Sequence, residues 1–520
     1  MNEKFILSAI LLTRLIYINA TDEFANSLKS YIENGILEQV DYKTSCKDQD
    51  LLVEYDFIVV GAGPGGCTVA NRLSEIPHWK IILLEAGHYF NYLVDIPVLN
   101  TNLIMSPLNW GYKTEKDFRA CLGLKDQRCP WPSGKGVGGT SLINTMLYTR
   151  GNKRNYDDWA NMGNNGWSYN DVLPYFKKAE RVQISDLQNC SYHGAEGFIG
   201  VDYTEYKTPM LDAFLQAGKE AGYKVVDYNG ETQTGFSRAQ ATLHNRYKRS
   251  SSKDYIDPIR KRPNLTVRDS SFVKKILINP ITKTACGVLA TIKGVDYTIM
   301  ARKEVIVSGD YPDIEFIFTA VSLASDGGVS LRKEMGITDH LYNSVYSSVD
   351  RKHSWSIWPM ILYPRSRGKL LLKDSHPLSP PLIYANFFND TRDLDVIVEG
   401  IKMAVQLSKT NAFQSIGSKL HKVPIPGCAH YPFGSDAYWG CSVRHITTQL
   451  HHQCGTCKMG PRWDPGAVVD PELQVYGVTN LRVVDASVIP AIPGGHTVAV
   501  VYMIGEKASD MIKKKWLGTH

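Results

Sequence analysis

One unbroken stretch, residues 54–87 (EYDFIVVGAGPGGCTVANRLSEIPHWKIILLEAG), narrows what this chain can fold into. Residues 57–60 are an apolar run short enough for a buried strand. Gly61, Gly63 and Gly66 follow as G-x-G-x-x-G. The first glycine permits the tight turn. The second lets backbone approach a pyrophosphate, and the third lets a helix pack close to the sheet. The helix that opens there offers unpaired N–H groups and a partial positive charge to phosphates. Residues 81–84 are a second apolar strand, and Glu85 at its end is placed to accept hydrogen bonds from a ribose. A lone glycine motif is weak evidence. With strand, helix, strand and acid in order, the stretch reads as a dinucleotide-binding βαβ unit.

A chain of 520 residues is long for one domain. Its 58 basic and 52 acidic residues leave a net charge of only +6, with no long basic block, which argues against a nucleic-acid partner. Residues 1–20 read as a secretory signal: Lys4 gives the positive start, a short apolar run follows, and Ala20 is a small residue near a cleavage point. Arg14 interrupts the run, which is too short and too broken for a membrane span. The expectation is a secreted protein with no span after signal removal. Ten cysteines suit an oxidising compartment. Cys121 and Cys129 bracket one short loop and Cys428 and Cys441 another, and each pair is positioned to form a disulfide. Cys454 and Cys457 form C-x-x-C without a second ligand pair nearby, and read as buried structural thiols. Asn189, Asn264 and Asn389 each begin a glycosylation sequon.

Residues 129–151 (CPWPSGKGVGGTSLINTMLYTRG) bring a second glycine cluster before a short helix-like run from Ser141. Such glycines suit close backbone approach to a ligand. Helices are expected over 156–180, 211–220, 394–407 and 497–512. Strands over 265–267, 272–278, 286–292 and 297–299 read as a small antiparallel sheet. Residues 303–308 and 480–484 read as further strands, and 314–318 with 355–362 as a second sheet.

Four motifs together are informative: GAGPGG with LLEAG, PSGKGVGGTSLINTMLYTRG, HHQCGTCKMG, and LRVVDASVIPAIPGGHTVAVVYMIGEKA. In this order they resemble the glucose–methanol–choline (GMC) oxidoreductases, flavoproteins that oxidise alcohols, and most of all the secreted arthropod glucose-dehydrogenase-like branch. The resemblance covers nearly everything from Tyr55 to Trp516. It implies an α/β (α+β) fold: a Rossmann-like FAD-binding domain with a second substrate domain built on an antiparallel sheet flanked by helices. The expected division is 52–311 for the FAD domain, with a substrate-domain insertion around 155–245. The substrate domain follows at 312–475, and a closing segment at 476–512 returns to the FAD domain.

The resemblance also implies roles. Gly61, Gly63, Gly66 and Glu85 would hold the ADP half of FAD. Gly138, Gly139, Thr140 and Asn144 would lie along the pyrophosphate and flavin, and Val273 beside the adenine. Asp485 and Ala486 would return to the cofactor. His452 matches the catalytic histidine and His496 its partner. Removing hydride from an alcohol carbon requires that the hydroxyl lose a proton, and a neutral imidazole suits that task near neutral pH. A second imidazole can hold the hydroxyl and stabilise developing oxyanion charge. His451 competes with His452; neighbours on extended chain face opposite ways, and the resemblance selects His452. His353, His421, His430 and His445 read as structural. The implied partners are a small-molecule alcohol (sugar, sterol or aromatic) and an electron acceptor, quinone or oxygen.

One departure stands out. In relatives the strand matching VIVSG leads into a helix with a Ser-Gly-Ile-Gly signature and a long connection. Here Gly309 runs directly into DYPDIEFIF, with no room for a crossover before the next strand. The loss admits a second reading, a catalytically degenerate secreted relative acting as a binding protein. A flavoprotein using NAD(P)H is a weaker third, since no second glycine motif follows a strand.

Overall fold

The computed structural model describes residues 51–90, 92–308, 317–449 and 452–518. The signal at 1–20, the junction at 309–316 and His451 lie outside the described residues.

One mixed sheet organises the cofactor half. Its strands run in space as Ser271–Ile278, Ala285–Ile292, Val295–Val307, Glu54–Val60, Ile81–Leu84 and Leu265–Arg268, with Leu481–Val483 also pairing to Val295–Val307. Glu54–Val60 pairs parallel to Ile81–Leu84 and to the second half of Val295–Val307. Leu265–Arg268 extends the parallel part through Ile81–Leu84. Two expectations are corrected here. The stretch 265–267 is not part of the antiparallel sheet. Residues 297–299 and 303–308 are not separate strands but belong to one thirteen-residue strand, Val295–Val307. Its first half pairs antiparallel with Ala285–Ile292. On that same edge, residues 305–307 pair parallel with Leu481–Val483. One strand therefore belongs to both ladders, and the small antiparallel sheet is an extension of the large one.

Helix Pro64–Leu73 packs on this sheet against helix Val498–Leu517, which is buried along most of its length. The first is buried at nine of its ten positions, while the last turn of the second is exposed at Lys514, Lys515 and Leu517. The helical stretch 156–180 is two helices, Lys153–Asn161 and Tyr169–Ala179, each opened by a capping box.

The second half is built differently. Ile317–Thr319 pairs with Ser356–Trp358, and Lys369–Leu371 with Leu382–Tyr384, each as a short antiparallel ladder. A separate apolar cluster includes Leu341, Tyr342 and Tyr438, with Trp358 packed against it. Disulfides join Cys121 to Cys129 and Cys428 to Cys441, as the sequence suggested. Cys454 and Cys457 are only half-buried, against the expectation of buried ones. Asn264 is spent on structure: its amide donates to the carbonyls of Ser74, Ile76 and Trp79 at 3.0–3.1 Å. Asn189 and Asn389 are exposed. No helix among the described residues is long and apolar enough to cross a membrane.

Candidate active site

The carboxyl ends of the parallel strands converge on one edge. Val60 delivers Gly61, Leu84 delivers Glu85, Val307 delivers Ser308, and Val483 delivers Val484 and Asp485. Ligands of open α/β sheets bind at this edge.

The first glycine loop is tightly enclosed. Gly61 has φ +94°, and a β-carbon on it would sit 2.5 Å from the Ser308 carbonyl oxygen. A β-carbon on Gly66 would overlap the Gly61 carbonyl oxygen, and one on Gly65 the Val484 carbonyl oxygen. The Gly66 N–H donates to Ser308 Oγ at 2.9 Å. Gly63 differs: nothing lies within 4 Å of the position its β-carbon would take. Helix Pro64–Leu73 starts beside it with proline in the first turn and no acidic residue there, so its positive end is not neutralised by its own side chains.

The second glycine loop locks onto the first. The Gly138 N–H donates to the Ala62 carbonyl at 2.7 Å, and a β-carbon on Gly139 would lie 2.6 Å from Gly63 Cα. Only glycines permit this approach of two backbones. Ser141 Oγ donates to the Gly138 carbonyl at 2.5 Å and lies 2.8 Å from Ser252 Oγ. Thr140 Oγ1 accepts from the Gly134 N–H at 3.0 Å, which leaves its own proton to donate. Asn144 Oδ1 accepts from the Met146 N–H at 3.1 Å.

Glu85 is buried, and its two oxygens accept from the Ala62 N–H at 2.9 Å and the Gly87 N–H at 2.8 Å. Burial pushes its carboxyl above the usual range, against the pull of the Gly87, Ala62 and Gly136 N–H groups. With three N–H donors on about four lone-pair sites, the carboxylate keeps acceptor capacity for a hydroxyl. Asp485 caps the turn that follows it, accepting from the Ser487 N–H at 2.7 Å, and Ala486 is fully buried. Val273 is half-buried on strand Ser271–Ile278, opposite Ala290.

His452 and His496 meet. Their ring centroids are 4.7 Å apart and the planes stand at 84°. Both are nearly buried, at 7% and 6% exposure. Thr149 grips the backbone of His496 at two points. Its hydroxyl donates to the His496 carbonyl at 3.2 Å and accepts from the His496 N–H. A β-carbon on Gly495 would displace that hydroxyl. Beneath Thr149, Arg150 pairs with the buried Glu180, whose Oε1 lies 2.6 Å from His193 Nδ1; His193 Nε2 lies 2.9 Å from Asp227. These buried contacts anchor Arg150 of the LYTRG segment.

The structure brings the two glycine loops together and, separately, the two histidines that the sequence pointed to; sequence reasoning did not single out Ser308 or Thr149, which contact them. Thr149 sits within a motif that was singled out, where only its pairing with a distant backbone reveals its task. Of the histidines read as structural, His421 Nε2 lies 2.7 Å from the Val345 carbonyl oxygen and His445 lies against the Cys428–Cys441 disulfide, while among the described residues none of the four shows a ring contact with the pair.

The residues present fit FAD. The open side of Gly63 leaves room for a pyrophosphate against backbone, the helix end supplies positive potential, and Glu85 retains acceptors for a ribose.

Comparison with known proteins agrees. GMC oxidoreductase family models match residues 55–311 and 364–505. The chain is 38% identical to glucose dehydrogenase [FAD, quinone] of Drosophila pseudoobscura pseudoobscura, over 89% of this chain and 87% of the relative. It is 36% identical to the Drosophila melanogaster protein of the same name, with the same coverage. The first alignment spans 546 residues, more than the whole chain, while using only 89% of it. That relative therefore carries residues with no counterpart here. Among solved structures, a formate oxidase of Aspergillus oryzae superposes with a TM-score of 0.73 at 22% identity, over 89% of this chain and 99% of that one. Pyridoxine 4-oxidase of Mesorbium loti gives 0.73 at 20% identity, over 90% and 100%. With two glycine loops interlocked on the carboxyl edge of its sheet, a histidine pair and matches along most of its length, this chain belongs to the GMC oxidoreductases, a family of FAD-dependent enzymes.

Proposed function

We propose that this protein oxidises the CH–OH group of a small alcohol, a sugar before a sterol or aromatic alcohol, with His452 as the base. FAD, when bound, supplies the hydride acceptor. The protein's share is to hold the alcohol carbon in line and to remove the hydroxyl proton. His452 takes that proton on a ring nitrogen. His496 holds the same oxygen by a hydrogen bond and stabilises the charge that develops there. The observation that carries this reading is the perpendicular, nearly buried pair of rings, 4.7 Å between centroids. One oxygen can contact both imidazoles at that separation. Their burial excludes bulk water, which strengthens both interactions.

In the same reading, Gly61, Gly63, Gly66 and Glu85 hold the ADP half of FAD, with Val273 beside the adenine. Gly138, Gly139, Thr140 and Asn144 lie along its pyrophosphate and flavin, and Asp485 and Ala486 close the site. Quinone or oxygen removes the electrons. The protein is secreted, a reading supported by two disulfides and by its similarity to the Drosophila enzymes. The residues absent relative to those enzymes belong at the junction after Gly309, where the sequence turns abruptly from one strand to the next.

The test is spectroscopic. Purified protein should be yellow, and anaerobic addition of a sugar substrate should bleach the flavin band. His452→Ala should keep the band and slow the bleaching by roughly 10²- to 10⁴-fold. An unchanged bleaching rate would remove His452 from the mechanism.

A further inference from the structure

Arg249 ends the two-residue strand Lys248–Arg249, and its side chain is buried, at 1% exposure. Its Nη1 donates to the Asn144 carbonyl at 2.8 Å, to Asn144 Oδ1 at 2.9 Å and to the Ser141 carbonyl at 3.3 Å. Its Nε and Nη2 are buried with no hydrogen-bond partner among the described residues. A guanidinium carries five N–H donors, of which Nη1 accounts for two. The rest are unspent inside the protein. Leaving buried donors of a cation unmade is costly, and a fold that keeps them needs something to fill them. Burial lowers the basicity of Arg249, its group falling to about 10, and Asp95 and Tyr502 oppose the shift. It is still a cation at neutral pH.

Asn144 carries the matching half. Its Oδ1 faces two groups that can only donate, the Met146 N–H and the Arg249 guanidinium. That fixes which end of the carboxamide is oxygen. The NH₂ end is turned away from both. The loop that carries Ser141 and Asn144 is the one whose glycines lock onto Ala62 and Gly63. Two sets of uncommitted donors, one cationic, thus belong to the same cradle wall.

We propose that Arg249 binds the cofactor directly. Its Nε–H and Nη2–H edge takes an acceptor oxygen of FAD, a phosphate oxygen or a flavin carbonyl, while Nη1 holds the Asn144 carboxamide with its NH₂ toward the same ligand. The inference rests on the FAD reading and assigns a residue that carries no glycine motif or histidine to mark it.

The experiment measures FAD and ADP affinity by fluorescence and the melting temperature of apoprotein with and without FAD. Wild type must first take up FAD; failure there would sink the cofactor reading itself and this proposal with it. In Arg249→Met, FAD affinity should fall at least tenfold, while the apoprotein melts no lower than wild type, because orphaned donors have been removed. A parallel loss of ADP affinity places the guanidinium on a phosphate; a loss with FAD alone places it on the flavin end. Arg249→Lys keeps the charge without the fork, so its affinity should lie between those of wild type and Arg249→Met. It also serves as the affinity test should Arg249→Met not fold. Either variant binding FAD as tightly as wild type overturns the proposal. So does an apoprotein whose melting temperature falls while FAD affinity holds, which is the mark of a purely structural arginine.

Discussion

Strands Ile81–Leu84 and Leu481–Val483 of the cofactor half are buried at every position, whereas Ile317–Thr319 and Ser356–Trp358 are half-buried and Lys369–Leu371 is exposed throughout. Leu372, just past the last of these, is 86% exposed. The difference follows from topology. Parallel strands joined through helices are covered on both faces, so their stability comes from packing. Two-stranded ladders are marginal by themselves and need outside support. Both disulfides lie in that second half: Cys121, Cys129 and Cys428 belong to its apolar cluster and Cys441 packs against it. One half is held by interlocked backbone, the other by covalent staples.

The contrast can be broken at its strongest point first. Gly66→Ala drives a methyl into the Gly61 carbonyl. We expect a loss of more than about 3 kcal/mol, with both melting temperature and FAD uptake collapsing together. A well-folded, FAD-loaded variant would show that the first glycine loop is not the rigid element described. Next, replacing Cys428 and Cys441 by serine opens a loop with a sequence separation of 13 and should cost roughly 3 kcal/mol. The effect should be confined to the second half: proteolysis there should quicken while the flavin spectrum stays. Loss of flavin at the same rate would mean the two halves unfold as one.

Gly63→Ala sharpens the comparison within the cofactor half. Its φ is −77° and its β-carbon meets nothing, so the apoprotein should lose at most about 0.5 kcal/mol. FAD affinity should fall on the order of tenfold, about 1.4 kcal/mol, because the methyl occupies the ligand's space. Titrating FAD into both apoproteins checks it. An effect of similar size belongs to Glu334 in the second half. Burial alone raises its carboxyl from 4.5 to about 7, and its Oε2 has no partner among the described residues. The folded value lies above the unfolded one, so the ionised form opposes folding. That penalty is complete above about pH 7 and fades as pH falls toward 4.5. Glu334→Gln should therefore raise stability by about 1–2 kcal/mol near pH 8 and change little near pH 4. Equal denaturation midpoints for the two proteins near pH 8 would contradict the burial.

Legibility followed the range of the interactions. The first βαβ unit was readable because its strand, turn, helix and acid lie within 54–87, and each residue type answers a local backbone demand. Both disulfides close short loops and were readable for the same reason. Strand Leu265–Arg268 was misplaced because its apolar pattern does not say which neighbour it pairs with. Val295–Val307 was read as two pieces because its first half is exposed and its second half buried, so one strand carries two patterns. The Asn264 sequon looked available until its amide was seen spent on three carbonyls.

By itself the amino-acid order determined a dinucleotide cradle, its family and the two histidines worth watching, since glycine spacing and motif order are local properties of the chain. Only the folded molecule decided that the second glycine loop seats on the first, that Thr149 clamps His496, and that the buried Arg249 guanidinium holds Asn144 with donors to spare. Those arrangements join residues far apart along the chain. Their energies depend on burial and on the geometry of partners, neither of which a linear pattern records.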